Sequence, residues 1–290
     1  MTVCSRNSCA GGYGNCLDVK ITNACNAKCA FCIERDGFCP ESLDVKKLIE
    51  STVSARDFDN VLILGGEPLL YQDLLEYLAG IRAYKKNIYL TTNGSLLNVE
   101  LARSLSYYLD GINISIHHYS EFLNDKVFQT VHVDLDVLRK CIETFHCKEN
   151  LDATSKPYVP VRFNTNLVKG FLDSQKDVQT MIWWAAYMGV DEIRFSELQN
   201  CEELWVDSQE LFSNLPNDPY SQGCEQLVET NYDIKVVVKM TCGRVNRLKP
   251  SVNETPKRTG QTNVLYPNAK VYSGWINSNF SSGCHTFGCH

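Results

Sequence analysis

No apolar run in the sequence approaches the roughly 18 residues that a bilayer-spanning helix needs, which argues against a membrane protein. The first 14 residues are polar and glycine-rich and lack the apolar core of an export signal, so the cytoplasm is the expected compartment. Charge of one sign is not in marked excess. The 28 Lys and Arg stand against 34 Asp and Glu, a net of −6, and that balance calls for neither nucleic acid nor an anionic membrane. Internal repeats and low-complexity tracts are absent as well. What remains is an ordinary globular composition, 44% hydrophobic and 21% charged. Its 290 residues suffice for one barrel-sized domain, or for a core with a smaller module attached.

Cysteine is the exception to this plainness, with 14 in the chain. Small secreted proteins use such numbers as a disulfide framework. Here there is no export signal, and the chain is too long to need staples. Metal binding accounts for at least three of the cysteines better.

Short β-branched runs at residues 17–21, 61–64, 88–91, 112–116, 161–163 and 192–196 read as strands. Between them lie helical stripes: Leu74, Leu75, Leu78 and Ile81; then Leu135, Leu138, Ile142 and Phe145; then Val178, Met181, Ile182, Ala185 and Met188. Each stripe reads as core packing. Near-continuous apolar strands alternating with helices predict an α/β fold, a parallel sheet of βαβ units forming a partial (β/α)6 barrel. Sites in such barrels lie at the C-terminal ends of the strands. After about Gln199 the pattern changes. Residues 200–224 are polar and punctuated by Pro216 and Pro219, residues 244–260 read as loop, and residues 264–272 read as a hairpin turning at Pro267-Asn268. The expected organisation is an N-terminal segment (1–15), a core barrel (16–199) and a smaller C-terminal extension (200–290).

Cys25, Cys29 and Cys32 form a C-x₃-C-x₂-C loop directly after the first strand. Three thiolates can hold three irons of a cubane cluster, and the fourth iron, left without a protein ligand, can bind a small molecule. The residues alone also leave open a zinc site or scattered buried thiols, although zinc favours C-x₂-C pairs with partners downstream. Gly65-Gly66-Glu67-Pro68 follows the second strand, 33 residues after Cys32. Two glycines let the backbone turn sharply and approach a ligand, yet Gly-Gly-Glu-Pro also suits any tight turn. Thr91-Thr92-Asn93-Gly94 ends the third strand, where Asn-Gly is a common turn pair. Ser115-Ile116-His117-His118 ends the fourth, Val161 to Asn166 forms the end of the fifth, and Asp191 to Leu198 contains the sixth.

The cysteine loop with Phe31 before its third cysteine, together with the Gly-Gly-Glu-Pro turn, resembles the radical S-adenosylmethionine (radical SAM) superfamily over about residues 16–199. The fifth and sixth strands resemble its subgroup containing the molybdenum-cofactor GTP cyclase and the peptide-modifying SPASM proteins. The resemblance implies a [4Fe–4S] cluster on Cys25, Cys29 and Cys32, and S-adenosylmethionine chelated to the open iron. It implies cofactor contacts from Phe31, Gly65, Gly66, Glu67, Asn93, Ser115, Asn164 and Glu197. Gly65, Gly66 and Glu67 would face the methionine amino group, Ser115 or His117 the ribose or carboxylate, and the strand carrying Glu197 the adenine. Bland roles exist beside these: Asn164 as a turn cap, Glu197 paired with an arginine. His118 could face substrate, but no residue is assigned to the chemistry itself. The implied activity is reductive cleavage of S-adenosylmethionine to a 5′-deoxyadenosyl radical, then hydrogen abstraction from a small metabolite or peptide in a biosynthetic pathway. An external electron donor such as flavodoxin or ferredoxin is implied too. The alternatives are a maturase or activating enzyme working on a partner chain, and a metal-binding module without chemistry.

The extension departs from both subgroups. Cys242 and the hairpin match a SPASM opening, but Ser273-Gly274-Trp275 stands where its second cysteine belongs. Cys224, Cys242, Cys284 and Cys289 form a candidate auxiliary iron–sulfur site, with His285 or His290 as substitutes. Cys4, Cys9 and Cys16 are a weaker set. The GTP cyclase pattern ends Gly-Gly, whereas this chain ends Gly288-Cys289-His290, and the residues before the first strand leave no room for a leader-peptide domain. Lys239, Arg244, Arg247, Lys249, Lys257 and Arg258 make the extension locally basic, fit for a phosphate, a carboxylate or an acidic peptide, or else a solvated loop face.

Overall fold

In the computed structural model, strand β1 (Cys16–Thr22) sends Leu17, Val19 and Ile21 to one face and Cys16, Asp18 and Lys20 to the other, and six of its seven residues are buried. This is the signature of a strand covered on both sides. The structure describes residues 15–32, 34, 38–147, 158–199, 201–216, 225–240 and 262–276. Next to β1 lie, in order, β2 (Asn60–Gly65), β3 (Asn87–Thr92), β4 (Gly111–Ser115), β5 (Val161–Leu167) and β6 (Glu192–Glu197), all parallel. The helices between them are α1 (Val45–Ser54), α2 (Leu74–Arg82), α3 (Val99–Ser106), α4 (Glu121–Phe128), α5 (Leu135–His146) and α6 (Gln175–Met188).

The predicted helical stripes are buried in the main core. Leu138, Cys141, Ile142 and Phe145 face inward from α5, and Val178, Met181, Ile182, Ala185 and Met188 from α6. Of the α2 stripe, Leu75 is instead exposed, and Tyr77 takes its place inside, its hydroxyl 2.8 Å from Thr52 Oγ1 of α1. Side-chain caps mark several helix starts. Asp44 accepts from Lys47 N, Asn98 from Leu101 N and Ser174 from Asp177 N. Helix α6 stops at Gly189, whose φ of 82° is the left-handed conformation that glycine adopts without strain.

The extension behaves differently from a module set beside the barrel. Its strands β7 (Glu225–Val228) and β8 (Lys235–Lys239) join the sheet at β6, while β9 (Asn263–Leu265) and β10 (Val271–Ser273) join it at β1. The sheet therefore runs β10-β9-β1-β2-β3-β4-β5-β6-β8-β7, with eight parallel strands between two antiparallel edges. The hairpin turn falls at residues 266–270 as expected, with Ala269 N donating to Tyr266 O at 2.9 Å. A second, smaller core of Cys16, Leu62, Leu64, Val264, Tyr266 and Trp275 lies on the face of β1 opposite Leu17, Val19 and Ile21. No helix among the described residues is long and apolar enough to cross a membrane.

Candidate active site

The chain leaves β1 through a register shift between Lys20 and Thr22, and Thr22 Oγ1 accepts the Ala24 N–H at 3.1 Å. The three-cysteine loop then docks on two neighbours. Lys28 N donates to Phe128 O at 2.9 Å, and Thr130 Oγ1 to Asn26 O at 2.5 Å, which holds the loop on the end of α4. Asn26, lying between Cys25 and Cys29, accepts from Asn93 Nδ2 at 2.8 Å and donates to Ser95 Oγ at 2.9 Å, so the turn after β3 holds it too.

Gly65 and Gly66 are what let the end of β2 approach this loop. A Cβ on Gly66 would sit 2.2 Å from Ala24 O, and one on Gly65 would sit 2.5 Å from Thr22 O. The backbone bonds Gly66 N to Thr22 O (3.0 Å) and Glu67 N to Ala24 O (2.8 Å) occupy the space so gained. Glu67 is buried, 1% exposed, and its carboxylate accepts three hydrogen bonds: from Leu69 N (3.0 Å), Thr92 Oγ1 (2.6 Å) and Asn93 N (2.7 Å). Burial pushes its carboxyl up from the ordinary value, and those donors pull it back.

Around a cavity of about 650 Å³ stand Cys25, Cys29, Cys32, Phe31, Gly65, Gly66, Glu67, Asn93, Ser115, Asn164 and Glu197, so every residue that the resemblance assigns to the core cluster or to S-adenosylmethionine meets there. Burial raises the Cys25 thiol above its ordinary value, the Ala27 backbone N–H lowers it, and the Glu67 and Cys32 charges raise it further. A bound cation would invert that balance, since coordination stabilises the thiolate. Among the described residues no three His, Cys, Asp or Glu groups converge to hold a single ion. Thiols set around one cavity instead suit the separate corners of a larger inorganic cluster.

The opposite wall is polar. Ser115 and Asn164 are register neighbours on β4 and β5. Asn164 Oδ1 is buried without a hydrogen-bond partner among the described residues, an acceptor left for a ligand. His117 is wedged against Phe31 (ring centroids 5.2 Å apart) and Phe128 (5.1 Å), and burial pushes it down to about 3, so its ring is neutral. Its Nδ1 accepts the Asn166 N–H at 3.2 Å, which places the ring proton on Nε2. His118 is not among the cavity-lining residues; its Nδ1 accepts the Ser120 N–H at 2.8 Å. Glu197 accepts from Ser208 N (3.1 Å) and Ser208 Oγ (2.7 Å) at the start of a short helix, α7 (Ser208–Leu211).

Several lining residues carried no motif. Lys20 Nζ pairs with Glu34 Oε2 at 2.6 Å and donates to Phe38 O at 3.2 Å. Asn23, Asn166, Ser196 and Gln199 add polar surface. Trp275, which stands where a SPASM cysteine was expected, is a buried wall of the cavity. Inward alternation along β1 and β5 was the available signal for Lys20 and Asn166. Cys4, Cys9, Cys224, Cys242, Cys284, Cys289, His285 and His290 lie outside the described residues, as do Arg244, Arg247, Lys249, Lys257 and Arg258.

Residues 19–151, from β1 past α5, match the radical SAM superfamily. A probable GTP 3′,8-cyclase of Thermococcus kodakarensis is 29% identical over 181 residues, 60% of this chain and 53% of its own length. A GTP 3′,8-cyclase of Aliarcobacter butzleri is 30% identical over 198 residues, covering 64% and 57%. The chain thus spans about half the length of these curated relatives. In fold it resembles Streptococcus suis SuiB, with a TM-score of 0.62 at 14% identity over 93% of this chain and 62% of SuiB. The matched segment contains the cysteine loop, the double glycine, Asn93 and Ser115, all of which the fold delivers to one cavity, and over that segment the chain is similar to the radical SAM superfamily.

Proposed function

We propose that Cys25, Cys29 and Cys32 hold a [4Fe–4S] cluster, that S-adenosylmethionine fills the cavity beside it, and that the chain abstracts a hydrogen atom from a small metabolite. The observation that carries this reading is the meeting of three thiols, a double-glycine turn and an unpartnered acceptor on one cavity of about 650 Å³. When bound, the cluster supplies an electron that cleaves S-adenosylmethionine to methionine and a 5′-deoxyadenosyl radical. The chain's own part is positional. Glu67, Asn93 and Asn26 fix the cysteine loop, and Gly65 and Gly66 keep backbone close to the ligand space. Asn164 Oδ1 accepts from a ligand donor, with Ser115 beside it. Phe31, Phe128 and the neutral His117 ring form an apolar collar that excludes water from a reactive radical. The GTP 3′,8-cyclase names of the curated relatives support a metabolite as substrate. Glu197 borders the far end of the cavity, and an external reductant such as flavodoxin or ferredoxin completes the cycle.

Anaerobic reconstitution tests the reading. Wild type should carry about four irons for the core cluster and release 5′-deoxyadenosine on reduction, while a Cys25/Cys29/Cys32→Ala triple variant should do neither. Iron retained by the triple variant would report an auxiliary site elsewhere. Wild type that holds iron but yields no deoxyadenosine would overturn the proposal.

A further inference from the structure

The basic character of the extension resolves, in the described residues, to one unusual side chain. Lys239 ends β8 and is 3% exposed, and its Nζ is buried with no hydrogen-bond partner among the described residues. Its register neighbour on β6 is Ser196, whose own neighbour on β5 is Asn166. Paired residues of a parallel sheet share a face, so Lys239 continues the row of which Ser196 and Asn166 line the cavity, and itself stands one strand behind that lining.

Among the described residues, the acids that could neutralise Lys239 are engaged elsewhere. Glu225, opposite it on β7, takes Arg194 Nη1 at 3.3 Å. Glu192 serves Arg162 (3.4 Å), Arg194 (3.5 Å) and Lys235 (2.8 Å), and Glu34 is occupied by Lys20. Asp18, on β1, feels the Lys239 charge, but its carboxyl is pushed up to about 7, chiefly by burial. An unpaired ammonium away from water is costly, and such groups are ordinarily matched by a counter-charge.

We propose that Lys239 is the anion-binding residue of the substrate pocket, receiving an oxyanion of the small-molecule substrate, a carboxylate or a phosphate, beside Ser196 just behind the cavity lining. The inference rests on the radical SAM reading above for where substrate enters, and its test is separable from the test of that reading. A substrate anchored by its anionic end at Lys239 would place its opposite end toward the cysteine loop. Specificity would then come from a strand of the extension and not from the cysteine and glycine motifs.

The test uses the full reconstituted chain in oxyanion-free buffer with two probes, inorganic phosphate and acetate. At least one should bind wild type saturably and raise its melting temperature, and the stronger probe identifies the group. Lys239→Met should weaken that binding at least tenfold, whereas Lys239→Arg, which keeps the charge, should retain it within a few-fold. Without anion, Lys239→Met should melt above wild type, because it removes an uncompensated buried charge. A merely structural lysine would shift the melting point the other way. Absence of binding by wild type, equal binding by Lys239→Met, or a lowered melting point in both variants would each overturn the assignment. Deoxyadenosine formation by wild type, measured in parallel, reports on the radical SAM reading independently of all three.

Discussion

Glu67 Oε2 accepts the backbone N–H of Asn93 at 2.7 Å, and this bond fastens the end of β2 to the turn after β3. The turn in turn grips Asn26 inside the cysteine loop. Glu67→Gln presents an amide NH₂ to at least one of the three donors that the carboxylate now satisfies. One buried N–H or O–H is left unmet, a loss of about 1–3 kcal/mol. Urea unfolding of the variant should show that loss, and S-adenosylmethionine binding should weaken more than cluster loading. A variant as stable as wild type within about 0.5 kcal/mol would show that the carboxylate is not what holds these ends together.

Gly66→Ala tests the seating of the loop itself. The added Cβ meets a backbone oxygen, Ala24 O, at 2.2 Å, and no side-chain rotation relieves that contact. Overpacking of this kind costs about 1–3 kcal/mol, and here the relief must come from moving the segment just before Cys25. Iron content after anaerobic reconstitution should therefore fall alongside the melting temperature. Full cluster loading in this variant would mean that the loop does not depend on the close approach.

Much of this site was legible in the sequence because its determinants are local. Cysteine spacing and the double glycine are properties of short segments, and each falls where an apolar strand stops. The stripes of α5 and α6 are long enough for their period to show, whereas α3 (eight residues) and α4 (eight residues) offer only two turns each. Their presence was hidden. The pairing of β8 and β9 with opposite edges of the barrel was not legible, since register over three to five residues is settled by tertiary contacts and not by propensity. The position of Lys239 was hidden for the same reason. Composition placed it in a basic stretch; only the sheet order turns it inward. Trp275 shows the converse. Its place just after the hairpin was visible, but its role as a cavity wall follows from β9 lying against β1.

Asp18 and His117 should give stability two opposing pH dependences. The carboxyl of Asp18 is raised from 3.8 to about 7, so between those values the folded chain holds a proton that the unfolded chain has released. Its contribution is fully present below about pH 4 and is lost as pH rises through 7, on the order of 4 kcal/mol in all. His117 is lowered from 6.5 to about 3, so its contribution is present above pH 6.5 and is lost as pH falls toward 3. Chemical unfolding of wild type and Asp18→Asn between pH 4 and 8 isolates the first effect, because other groups cancel in the difference. The stability of wild type relative to the variant should decline steadily with pH. A flat difference would mean that Asp18 is ionised at ordinary carboxylate pH despite its burial.

Asn164 offers a sharper test of ligand binding, because its Oδ1 is buried and has no partner among the described residues. A site that uses this acceptor accepts a penalty in the empty protein and recovers it when a donor arrives. Asn164→Leu, similar in size, removes the orphaned acceptor together with its desolvation cost, so the ligand-free variant should be as stable as wild type or more stable by about 1 kcal/mol. Affinity for S-adenosylmethionine should fall in the same variant, by about tenfold or more if one hydrogen bond of roughly 1.5 kcal/mol is lost. The two measurements must move in opposite directions for the argument to hold. Lower stability with unchanged affinity would mark Asn164 as a packing residue, and the acceptor facing the ligand would have to be sought at Ser115 on the neighbouring strand.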